Sequence, residues 1–232
     1  MLHFGAVKPG IRVLIFDQCS GVVTTHVVER LGGFGRCVVL HNGKSASNLL
    51  CYHNRQFSPK VASTFRTLSV RKMLEHSSGA KPTEDAERME AEEADGEQKH
   101  PNGRVMTESD IAFRDEKNRQ TAEALEWFAN ERTPGFGDYD ALFVVCRNAA
   151  SISVLEHTFR AVRSSGNIVV YSPNSADIAT SREYLEKRGC VFVDTRSSVC
   201  REIQVLKHRT HPVMQQITPG GFILSAIRGF AP

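Results

Sequence analysis

At 232 residues and 41% hydrophobic content, the chain has room for one medium domain or two small ones and enough apolar material for a core. It has no apolar run of about eighteen residues and no basic-then-apolar leader, which argues against a membrane-spanning helix and a signal peptide. Cys19, Cys37, Cys51, Cys146, Cys190 and Cys200 form no CxxC pair, so the expectation is reduced, intracellular thiols and no zinc site. Net charge is +3 but unevenly spread: residues 81–99 carry −5, which leaves +8 on the remainder. A basic body invites a polyanion such as nucleic acid, although solvated Lys and Arg without a partner fit the same charge.

A short lead-in ends at Pro9-Gly10, which turns the chain into its first strand. Residues 12–41 then read as strand, turn, helix, Gly-rich turn, strand. Val13 to Phe16 is the apolar run of a doubly covered parallel strand, and residues 17–21 make a turn. Val22, Val23, Val27, Val28 and Leu31 recur at helical spacing, and Gly32, Gly33 and Gly35 stop that helix. Cys37 to Leu40 is the second strand, so the whole unit fits a right-handed parallel crossover.

A short helix is expected within residues 45–52. Residues 57–69 read as a mixed basic and aromatic crossover in which Lys60, Arg66, Arg71 and Lys72 are either solvated or against phosphate. Residues 77–103 contain no aromatic side chain and almost no large aliphatic one, so they predict a disordered acidic insertion at about 77–105. Residues 107–110 open a helix with good N-cap chemistry; Ala112, Phe113, Ala122, Leu125 and Phe128 give it an apolar side, and it ends near Arg132.

From residue 140 the pattern is strand (141–146), helix (151–163), turn (164–166), strand (167–171), helix (176–188) and strand (190–194). With the first unit this predicts an α/β, doubly wound, mostly parallel sheet. Residues 201–207 and 221–228 read as two strands closing the sheet edge as an antiparallel pair, a device of Rossmann-like methyltransferases that use S-adenosylmethionine (SAM). Gly220-Gly221 is expected in a tight turn.

In a nucleotide-binding version of the first unit the turn is Gly-rich, and an acidic residue ending the second strand holds the ribose. Here Asp17 and Cys19 stand where glycines are expected, only Gly21 survives, and His41 ends the strand. An imidazole does not accept two hydroxyl bonds as a carboxylate does. Two readings stay open: a nucleotide fold with a disabled, degenerate cofactor pocket, and an α/β fold that never bound one.

Three stretches in order, DQCSGVVTTHVVERLGGFG, DALFVVCR and REIQVLKHRTHPVM with GGFILSAIR, carry a more specific signal. Through them the sequence resembles the non-catalytic subunit of the eukaryotic tRNA (adenine(58)-N(1))-methyltransferase. The resemblance implies a non-catalytic, tRNA-binding, scaffolding chain in a nuclear heterotetramer. A catalytic paralogue there uses SAM to methylate N1 of an adenine in the tRNA T-loop. It implies no cofactor bound by this chain. Against the catalytic pattern, Ile15 replaces a carboxylate in the first strand, Asp17 and Cys19 replace turn glycines, His41 replaces the ribose-binding acid, and Val145 replaces the Asp beside the target base. Val neither orients an exocyclic amine nor accepts a proton; a SAM-dependent methyltransferase with an atypical pocket and a truncated paralogue that only assembles are the alternative readings. Two departures stand out: the family's N-terminal β-rich domain is expected to be absent from a chain that reaches its first strand so soon, and Ala149-Ala150 replaces a His-Pro pair.

Arg147, at the carboxyl end of the fourth strand, and Arg196, Arg201, Lys207, Arg209 and His211, around the tail strands, are the candidate contacts to the tRNA backbone. Solvent exposure or an ion pair within the fold is the alternative for each. Asp17 is expected to bond the N–H groups of its own turn, Asp140 to sit in a turn before its strand, and His211 to cap backbone groups.

Overall fold

The computed structural model describes residues 1–43, 46, 49–78, 108–129, 138–199, 201–214 and 219–230. The elements in order are β1 (Arg12–Asp17), α1 (Val22–Leu31), β2 (Arg36–His41), α2 (Leu50–Arg55), α3 (Pro59–Ala62), β3 (Phe65–Ser69), α4 (Val70–Ser78), α5 (Glu108–Ala129), β4 (Tyr139–Val145) and α6 (Ser151–Thr158). A 3-10 turn (Phe159–Ala161), β5 (Val162–Ser172), α7 (Ser175–Lys187), β6 (Val191–Val199), β7 (Ile203–Gln204), β8 (His211–Pro212) and β9 (Pro219–Ile227) complete them.

Seven strands form one sheet in the order β3-β2-β1-β4-β5-β9-β6. The β1, β2, β3, β4 and β5 strands are parallel, while β9 runs antiparallel between β5 and β6. The expected doubly wound sheet with an antiparallel edge is therefore present. Its two faces carry separate cores, because alternate residues of each strand point to opposite sides. Leu14, Phe16, Val38, Leu40, Leu142 and Val144 face one layer; Val13, Ile15, Cys37, Val39, Ala141 and Phe143 face the other, with Val27, Val28 and Leu31 of α1. Gly32 caps α1 in the left-handed conformation, as its position predicts.

The departures lie at the margins of the sheet. The antiparallel closure is made by β6 and β9, not by residues 201–207, which contribute only the two-residue β7, paired with β8 in a small separate ribbon. Residues 65–69, read as the end of a solvated crossover, are an edge strand; only Leu68 is buried there, so the apolar signal is faint. The strand expected at 190–194 is present as β6 but lies at the edge of the sheet and runs on to Val199, with Phe192 81% exposed. Residues 164–166 lie inside β5, where Ser165 takes a positive φ at a register shift against β4. That bulge lets the strand begin at Val162 and shortens the helix expected to reach 163.

Asp140 is in β4, not before it, and accepts from the Arg12 N–H at 2.8 Å and from Arg163 at 2.7 Å. Gly220 and Gly221 are strand residues: Gly221 has φ +85, and a Cβ there would fall 2.7 Å from the Tyr171 ring, so the glycines serve close approach rather than a turn. In α5, Ala122 is exposed, and Ala124 with Leu125, Trp127 and Phe128 meets the core instead. The helix expected at 45–52 begins at Leu50. Of the insertion, residues 77 and 78 close α4, and 79–105 lie outside the described residues.

Candidate functional site

In an open parallel sheet, ligands meet the carboxyl ends of the strands where the strand order reverses. Here that is the gap between β1 and β4, rimmed by Asp17, His41 and Val145. Asp17 folds the first turn onto itself. One carboxylate oxygen accepts from the Cys19 N–H at 2.7 Å; the other accepts from the Thr24 N–H at 3.1 Å and the Thr24 hydroxyl at 3.0 Å. Gly21, at φ +76, starts α1, and Leu49 is buried directly against it: a Cβ at Gly21 would fall 3.0 Å from the Leu49 Cα. The Cys51 N–H donates to the Ser20 carbonyl at 3.0 Å and fastens this covering segment.

Gln18 closes the gap itself. Its N–H donates to the Val145 carbonyl at 2.9 Å. Its side-chain Oε1 accepts from three successive N–H groups, those of Arg147, Asn148 and Ala149, at 2.9, 3.1 and 3.1 Å. Beyond them, the N-terminus of α6 is taken by Asp177, which accepts from the Ser151 N–H at 2.9 Å and from its hydroxyl. The N–H groups of Cys19, Thr24, Arg147, Asn148, Ala149 and Ser151, of the kind that receive an anion in a working pocket, are thus bonded within the chain.

The other candidate cofactor positions do not restore one. Ile15 and Val145 are buried in the core, and His41 is half-buried at the end of β2 beside Ser69. Burial, then the Asp17 carboxylate, pushes the Cys19 thiol up, against a smaller opposing effect of Arg147. Burial likewise takes Cys146 up to about 11, so both thiols at the rim are protonated at neutral pH and neither is an activated nucleophile. These residues do not fit SAM: neither His41 nor Val145 supplies a carboxylate, Asp17 bonds its own turn, and Leu49 packs on Gly21. Among the described residues there is no cluster of metal-ligating side chains and no helix long and apolar enough to cross a membrane.

The basic candidates separate. Arg147 is exposed on the loop after β4 and, among the described residues, makes no ion pair. Arg201, Lys207, Arg209 and His211 are exposed on an arm that leaves the sheet after Val199 and returns at Pro219. Those two residues pair in register, beside Ser172 and Phe222, so the arm springs from the same carboxyl edge. Arg196 differs: it bonds Asp194 at 2.8 Å and lies over the Phe4 ring at 4.6 Å. The His211 ring bonds the neighbouring Pro212 carbonyl at 3.0 Å. Of the earlier basic group, Arg66 pairs with Glu123 at 2.6 Å and Arg71 with Glu75 at 2.8 Å, while Lys60 rests over Phe34 at 4.0 Å. Gln18, Leu49 and Asp177 were not among the sequence candidates. None of the three carries a local signal of its role, because each meets a partner remote in the chain.

The sequence profile of the Gcd10p family matches residues 1–102. The tRNA (adenine(58)-N(1))-methyltransferase non-catalytic subunit of Dictyostelium discoideum is 25% identical over 238 residues, covering 97% of this chain and 44% of that protein. Its namesake in Schizosaccharomyces pombe is 24% identical over 261 residues, covering 98% and 54%. The chain therefore spans about half the length of these curated relatives. Among solved structures, a SAM-dependent O-methyltransferase of Thermotoga maritima superposes with a TM-score of 0.60 at 12% identity, covering 99% of this chain and 63% of that one. The tRNA (m1A58) methyltransferase of Aquifex aeolicus gives 0.55 at 11% identity, covering 99% and 68%. The fold is that of Rossmann-like SAM methyltransferases, and the resemblance read from the three sequence stretches, to the non-catalytic subunit of the tRNA (adenine(58)-N(1))-methyltransferase, is borne out along nearly the whole chain.

Proposed function

We propose that this chain is a non-catalytic, tRNA-binding and scaffolding subunit that supports a SAM-dependent catalytic partner in N1-methylation of an adenine in tRNA. The observation that carries the reading is the filled switch point. Gln18 occupies the gap between β1 and β4, Leu49 packs on Gly21, and neither His41 nor Val145 supplies a carboxylate. A methyltransferase frame retained without a usable pocket has its value in its surfaces. Arg147, Arg201, Lys207 and Arg209 share the carboxyl edge and supply positive charge for RNA phosphates, which position a nucleic acid without reading its bases, and His211 lies on the same arm as a further polar contact. Arg196, bonded to Asp194, contributes less. The complex is a heterotetramer acting in the nucleus, as the family resemblance implies.

Co-expression with the catalytic subunit tests this. Methylation of tRNA is measured for each subunit alone and for the pair, with equilibrium dialysis of radiolabelled SAM against this chain and light scattering for the stoichiometry. Activity from the pair only, with no SAM retained by this chain, is the expected result. Methyl transfer or SAM retention by this chain alone overturns the non-catalytic reading.

A further inference from the structure

We propose that Gln18 is a positioning residue for the RNA contact, holding the loop after β4 so that Arg147 stands preset at the carboxyl edge; the proposal rests on the tRNA-contact reading of Arg147 given above.

The loop is tied at Cys146, Arg147, Asn148, Ala149 and Ser151. The Cys146 N–H donates to the Tyr171 carbonyl at 2.9 Å. The next three N–H groups converge on the single Gln18 Oε1, and the Ser151 N–H goes to Asp177 at 2.9 Å. Three donors aimed at one atom fix it as the amide oxygen, since the Nε2 group does not accept. Gln18 is itself anchored through its N–H to the Val145 carbonyl at 2.9 Å. Successive N–H groups curved round one point form a nest, which ordinarily attracts an anion. Here a neutral amide from 129 residues earlier fills it, and so the nest sets loop shape without drawing a charge inward. The Arg147 backbone is held on a defined path while its side chain stays exposed. An Arg already placed loses less freedom on meeting phosphate than one on a mobile loop, and with the loop released the cost of ordering it offsets the contact, which is then mostly not made. An acceptor at Gln18, rather than packing alone, is what the arrangement needs.

The test uses the chain assembled with its catalytic subunit and measures tRNA affinity as a function of salt. Arg147→Gln is expected to lower affinity about three- to tenfold and to reduce the slope of log K against log salt by about one. Gln18→Met keeps length and removes the strong acceptor; it is expected to reproduce most of both changes, and the double variant to be no weaker than Arg147→Gln. A role confined to stability lowers the yield of complex and leaves the salt slope of what assembles unchanged. Where Gln18→Met does not assemble, Gln18→Asn, one methylene short of the three N–H groups, gives the same reading. Parental affinity and slope in the Gln18 variant, additivity in the double variant, or tighter binding through an unmasked nest each overturn the proposal, provided Arg147→Gln has its effect. No effect of Arg147→Gln instead removes the contact reading, and the proposal with it.

Discussion

Asp17 and Thr24 are both buried, and together they close the first turn. Removing a partner from a buried donor costs the full desolvation of the group left behind. Asp17→Ala is therefore expected to destabilise the fold by about 2–3 kcal/mol, read from the urea midpoint. Gly21→Ala forces a side chain to φ +76 and brings its Cβ to 3.0 Å from the Leu49 Cα, closer than van der Waals contact. It is expected to cost about 1–3 kcal/mol through backbone strain, read in the same way. Asp17's inward bonding was legible because a carboxylate opening a turn has its own N–H groups in reach. The departures at His41 and Val145 were legible as chemistry, from the residue types a pocket needs. Gln18 was not, because its partners lie 129 to 131 positions away. A side chain's reach across the fold leaves no local pattern.

At the scale of elements, the end of β9 is fastened by one buried guanidinium. Arg228 Nη1 donates to the carbonyls of Phe159, Arg160 and Val162, and the group lies over the Phe159 ring at 4.9 Å. It thereby satisfies the carbonyls at the exit of α6 and ties them to the antiparallel strand; burial lowers its pKa. Arg228→Met removes these bonds, leaving the Phe159 carbonyl only its Val162 N–H partner, and is expected to cost about 1–3 kcal/mol, seen as a lower urea midpoint. The central strands were legible because burial on both faces makes them continuous apolar runs. The margins were not. In β3 only Leu68 is buried, β6 carries apolar side chains on an exposed edge, and residues 201–207 alternate like a strand yet extend from the sheet. Propensity at an edge is settled by pairing partners, and here β9, from the far end of the chain, takes the place beside β5.

For the whole molecule, the buried acids set the pH response. Burial pushes the thiol of Cys37 and the phenol of Tyr139 up strongly, Tyr52 to about 12 and Cys146 to about 11. Each keeps its proton longer in the folded state than in the unfolded one. Between the two pKa values the unfolded chain binds fewer protons, so stability falls as pH rises. The stability these groups contribute is fully present below about pH 8.5, the unfolded thiol value, and is lost above it. Thermal melts from pH 7 to 11 are expected to be level and then to decline, more shallowly in Tyr139→Phe above about pH 10.

The amide of Gln18 also changes how the chain answers to its surroundings. A pocket completed by a diffusible molecule gains stability with that molecule's concentration, by mass action. A pocket completed covalently, by a side chain of the same polypeptide, has an effective ligand concentration that never varies. The melting temperature of this chain alone is then expected to stay flat against added SAM, which a thermal-melt titration reads directly.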